Sequence, residues 1–120
     1  MIRPATDNNI YELAKAFAIR IVHLYSFLVE QKEFVMSKQI LRSGTSIGAN
    51  CFEGKNAQSR PDFISKMNIA LKEATETGFW LDVLHDTKCI DDKQFESINN
   101  DWKRIYAVLV KIVKTSKQTN

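Results

Sequence analysis

The chain has 120 residues, of which 44% are hydrophobic and 26% charged, and its formal net charge is +3. That length gives one domain (residues 1–120) with one substantial core and leaves no room for two. No uninterrupted apolar run is long enough to span a bilayer, and the opening MIRPATDNN has no apolar signal core, so residence in the cytoplasm, away from membranes, is the expectation.

Asp7 or Asn8 can cap a first helix that runs to about Glu30, with Ile10, Leu13, Phe17, Ile21, Leu24 and Leu28 on one face. Tyr11, Ala14, Ala18, Val22, Tyr25 and Val29 widen that face, so this helix needs neighbours on more than one side. A short connection around residues 31–34 leads to Ser37, a candidate cap for the second helix.

The second helix carries a stripe at Met36, Ile40, Gly44, Ile47, Cys51 and Gly54. Gly44 and Gly48 should each cost about 1 kcal/mol of helix propensity relative to alanine, which close approach of another backbone would offset. Beside the stripe runs a polar line, Ser43, Ser46, Asn50 and Glu53, read as hydrogen bonding within the bundle or across a subunit contact in preference to a ligand site, since no His, Cys pair or second carboxylate joins it.

Ser59, Arg60, Pro61 and Asp62 supply the start of a third helix. Its stripe, Phe63, Met67, Ala70, Ala74, Thr77, Leu81 and Leu84, alternates steps of four and three, which excludes a strand. This helix should end near 86–89, and Asp91 or Asp92 opens a fourth. There Phe95, Ile98, Trp102, Ile105, Leu109 and Ile112 form the apolar side before a polar, frayed tail at about 115–120. Four helices with short links imply an all-α, antiparallel up-down-up-down four-helix bundle.

Charge is uneven along the chain. Every acid of the last quarter precedes Lys103, leaving Lys103, Arg104, Lys111, Lys114 and Lys117 as a basic half-helix. These five are the candidate nucleic-acid contacts, weighed evenly against an ordinary solvated lysine face. Trp80, Trp102 and Phe79 could stack on bases, but rings set in helical apolar patterns are more often core or interface.

Other chemistries find little support. A di-iron centre needs glutamates on two helices and Glu-x-x-His on two more, whereas only Asp82 and His85 show an acid-x-x-His spacing and His23 stands apart. Cys51 and Cys89 lack metal-type spacing and read as reduced packing thiols. No nucleophile has a histidine at a readable spacing, and no phosphate-loop or dinucleotide motif follows a strand. The expectation is a non-enzyme with no metal and no cofactor.

The stretch from Gln39 to Leu84 resembles the four-helix-bundle proteins encoded in intervening sequences of bacterial 23S ribosomal RNA genes. The resemblance rests on Arg42-Ser43, Ser46-Ile47, Asn50, Glu53-Gly54, Phe63 and Glu76, read as structural or interface positions. Cys51 and Phe52 stand where the family more often has Ile and Ala, and Gly44 replaces a usual Ala. The resemblance implies a homopentamer. Through accessory proteins of diversity-generating retroelements, which share the fold, it also implies RNA or DNA and a reverse transcriptase or another protein as partners. Two functions follow: an oligomeric bundle that binds nucleic acid electrostatically, or an adaptor that receives a partner helix in an apolar groove.

Overall fold

The computed structural model describes residues 5–118, with side chains from 10 to 117. It consists of α1 (Ala5–Glu30), α2 (Met36–Lys55), α3 (Arg60–Asp86) and α4 (Asp92–Gln118), with no strand among the described residues. Each helix packs on its two chain neighbours, with α4 closing back on α1, and the diagonal pairs stay apart. This is the four-helix bundle the periodicity predicts. Among the described residues the α2–α3 seam is the most extensive and the α1–α4 seam the thinnest.

The predicted stripes form the core. Ile10, Phe17, Ile21 and Leu28 of α1 meet Ile40, Ile47 and Cys51 of α2. Met67, Ala70, Ala74, Leu81 and Leu84 of α3 and Ile98, Ile105, Leu109 and Ile112 of α4 complete it. Two of the α2 glycines, Gly44 and Gly48, face α1 at close range. A Cβ on Gly44 would sit 2.7 Å from Ile21 Cγ1, and one on Gly48 would sit 3.3 Å from the Ala14 carbonyl oxygen. The propensity lost at these two positions is thus exchanged for a close helix approach.

The helix ends differ in part from expectation. α1 begins at Ala5, ahead of Asp7 and Asn8, whose side chains lie outside the described residues. Ser37 does not cap α2. Val35 holds the N-cap position without a side-chain bond, and the Glu33 carboxylate accepts from the Ser37 amide at 2.7 Å. An anionic acceptor three residues before the helix serves the exposed N–H groups better than a neutral hydroxyl. Ser37 Oγ is instead buried without a hydrogen-bond partner.

The start of α3 is as read, with Ser59 Oγ accepting from the Asp62 amide at 3.2 Å and Pro61 in the first turn. Asp91 and Gln94 cap α4 reciprocally: Asp91 Oδ1 accepts from the Gln94 amide at 2.7 Å, and Gln94 Oε1 from the Asp91 amide at 2.8 Å. α4 continues through Thr115 to Gln118, where a frayed tail was expected, and 119–120 lie outside the described residues. After α1 and after α3 the chain reverses through Lys32 (φ 64°) and Lys88 (φ 65°), left-handed positions more usually held by glycine.

Candidate nucleic-acid interface

The basic half-helix keeps its place on folding. Residues of a helix advance about 100° each, so Lys103, Arg104, Lys111, Lys114 and Lys117 fall within an arc of about 140°. That arc lies opposite Ile105, Leu109 and Ile112, which enter the core. All five are exposed, and none pairs with a carboxylate among the described residues. Asp101, the nearest acid before them, is engaged by Arg20 of α1, whose Nη1 donates to Asp101 Oδ2 at 2.7 Å. The same guanidinium donates to the Ser97 carbonyl and to Ser97 Oγ, so one α1 side chain removes the acid from competition with the ridge. At the far end, Arg60 Nη2 donates to the Ser116 carbonyl at 3.1 Å and brings a cation of α3 alongside the end of α4.

The polar residues of α2 do different work. Ser43 and Thr77, both buried, join their hydroxyls at 3.0 Å across the α2–α3 seam. Thr77 Oγ1 also lies 2.8 Å from the Glu73 carbonyl, so both hydroxyls are satisfied away from water. Ser46 Oγ donates to the Arg42 carbonyl at 2.6 Å, and Asn50 Nδ2 to the Ser46 carbonyl at 2.8 Å. Glu53 pairs with Lys66 at 2.8 Å, and this contact raises the Lys66 pKa. Ile47 and Gly54 are buried, and a Cβ on Gly54 would press on Lys66 Cβ and Met67 Cε at 3.2 Å, with half-buried Phe63 beside them.

Arg42 spans the outer edge of the same seam, pairing with Glu76 through Nη2 and with Glu73 through Nη1 at 3.3 Å. Trp80 Nε1 donates to Glu76 Oε2 at 3.0 Å. The indole and then the guanidinium hold the Glu76 carboxyl below its ordinary pKa, and Glu76 in turn raises that of Arg42. Of the polar residues in the resemblance motif, Arg42, Ser43, Glu53 and Glu76 thus fasten α2 to α3, whereas Ser46 and Asn50 bond back within α2. No group of three metal-type ligands occurs among the described residues.

Comparison with known proteins names this arrangement. The profile of the 23S rRNA-intervening sequence proteins matches residues 6–111, from the first turn of α1 into α4 and short of Lys114 and Lys117. The chain belongs to that family. A crystal structure from the S23 ribosomal protein family of Bacteroides thetaiotaomicron VPI-5482, a protein with unknown function, is similar at 61% identity. It covers 91% of this chain and 98% of its own, with a TM-score of 0.88. No curated protein matches the sequence.

Several contacts of this intervening-sequence family member escape a reading of the sequence. Glu73, Glu76 and Trp80 lie on one line of α3, at a spacing that could have been matched to Arg42. The Gly78–Trp102 contact had no such signal: a Cβ on Gly78 would come 2.4 Å from Trp102 Cζ2, and Trp102 Nε1 is tied to the Ala74 carbonyl at 2.7 Å. Phe79 stays 58% exposed, while Trp80 and Trp102 are engaged within the fold. His85 meets Asp92 at 2.7 Å and stacks on Phe95, so it serves the α3–α4 corner, and His23 lines a groove between α1 and α4. No helix among the described residues is long and apolar enough to cross a membrane.

Proposed function

We propose that this protein is a non-enzymatic, oligomeric binder of RNA or DNA that works in the cytoplasm and grips phosphates with the basic face of α4. The observation that carries this reading is the exposed set Lys103, Arg104, Lys111, Lys114 and Lys117, unneutralised and aimed away from the core. A single such face is modestly attractive, but copies displayed by one assembly act together on a polyanion.

An apolar outer surface on α1 and α2 supports the oligomeric part. Ile19 is 49% exposed, Val22 44% and Phe52 43%, with Tyr25, Leu41, Thr45 and Ala49 among them. The wide apolar face of α1 is thus only partly used within one subunit, and covering the rest would recover hydrophobic free energy. A ring of five, as the family resemblance implies, is the assembly proposed.

Converting the five cations to Glu tests the function. Binding of RNA or DNA should be lost and that of the parent should weaken steeply with salt, whereas unchanged affinity or a flat salt response would remove the reading. The adaptor reading rests on the groove of about 450 Å³ between α1 and α4, floored by Leu24, Phe27, Ile90 and Ile98. A partner helix, from a reverse transcriptase or another protein, would lay its apolar face there. Recovery of one protein irrespective of nuclease treatment would favour it.

A further inference from the structure

The form of nucleic acid is written in what surrounds the five cations. We infer that the α4 ridge takes double-stranded nucleic acid in preference to the same sequence single-stranded, gripping phosphates alone; this rests on the phosphate-binding reading above.

The positions between the cations are filled by Ala107 and Val110, which offer bases neither a stacking ring nor a hydrogen-bonding edge. The aromatic rings of α4 are committed elsewhere. Phe95 stacks on His85 at 4.1 Å between centroids, and Trp102 stacks on Tyr106 at 5.0 Å while donating to the Ala74 carbonyl. Single strands are held by proteins chiefly through base stacking on such rings, so this surface forgoes their main source of affinity.

What remains is charge, and there the duplex has the advantage. Its two strands present one negative charge per ~1.7 Å of axis, about twice the density of one strand, and it releases more counterion per phosphate neutralised. Geometry adds to this. Lys103 to Lys117 spans ~21 Å of helix, a band of anchor points on one side of it. A stiff polyanion meets a fixed row without first being ordered, whereas a loose strand loses conformational freedom on docking. Nearer the start of α4, Glu96 and Asp92 put negative charge on the outward face before the row begins, and Asp92 is paired with His85.

The test is fluorescence anisotropy of the full-length protein against a labelled RNA duplex of about 20 base pairs, its DNA counterpart, and an unstructured single strand of equal length, at about 50 and 150 mM salt. Both duplexes should bind at least about tenfold tighter than the single strand. Replacing Lys114 by Ala should lower the salt slope by about one without changing the order of preference. Equal or tighter binding of the single strand would overturn the duplex inference and leave the phosphate-binding reading standing. No binding of any of the three at the lower salt would remove both.

Discussion

Glu76 of α3 receives Arg42 of α2 and Trp80 of its own helix on the same carboxylate oxygen, Oε2. The carboxylate therefore closes the outer edge of the α2–α3 seam while remaining partly exposed. Because its folded pKa is depressed, its contribution is present above the ordinary glutamate value and is lost as pH falls through the lower folded value. Replacing Glu76 by Gln should cost about 1 kcal/mol at neutral pH, discounted for solvent screening. Urea unfolding at successive pH values should show the parent's advantage disappearing in acid, where both chains carry a neutral group.

Gly78 gives a steric test. Alanine there would gain about 1 kcal/mol of helix propensity, but its Cβ meets an indole that its own hydrogen bond prevents from sliding away. Overpacking of this kind costs about 1–3 kcal/mol, so Gly78→Ala should lower the melting temperature despite improving the helix. Trp102→Phe in the same chain should recover part of that loss, and differential scanning calorimetry of the four-member cycle measures how much.

The start of α2 predicts two opposite effects within five residues. Glu33→Ala removes the acceptor of the Ser37 amide and should destabilise by about 1 kcal/mol. Ser37→Ala removes a buried hydroxyl that has no partner and should be neutral or stabilising. Thermal unfolding of both variants separates the roles, and a larger loss for Ser37→Ala than for Glu33→Ala would reverse the assignment of the cap.

The thiols should differ in reactivity. Burial pushes the Cys51 thiol up to about 12, so little thiolate exists near neutrality, whereas Cys89 is only half-buried. Titration of the native protein with a disulfide reagent should modify Cys89 promptly and Cys51 only on unfolding. Equal rates in the native state would contradict the packing of Cys51.

Assembly has its own readout. Val22→Glu places a charge in the middle of the exposed apolar surface of α1 and α2, and should shift the mass in multi-angle light scattering toward the 13.8 kDa of one chain. An unchanged oligomeric mass would remove this surface as the proposed contact, and a parent mass of 13.8 kDa would remove the assembly reading itself.

How legible these features were depended on how far each reached along the chain. The core stripes repeat at a helical period, and the Ser59 and Asp91 starts use residues within three positions, so both could be read in one dimension. The small residues Gly44 and Gly48 announced a close approach, though not that Ile21 and Ala14 would be the ones approaching. Ser37 misled because a serine before an apolar run looks like a cap, while Glu33, four residues earlier, competed with a charged acceptor. The basic ridge was visible because lysines on one helix share a face. Arg20, which takes Asp101 away from that ridge, comes from 81 residues earlier and no local pattern points to it.

That ion pair sits on the thinnest of the four seams, the one that joins the first helix to the last. The subunit is consequently fastened like a book whose spine is sewn along α2 and α3 and whose covers are merely clipped. Brief gaping of the covers would bare Leu24, Phe27 and Ile98 while the spine stayed shut, and amides of α1 and α4 facing that gap would exchange their hydrogens with solvent ahead of those in the middle of α2 and α3.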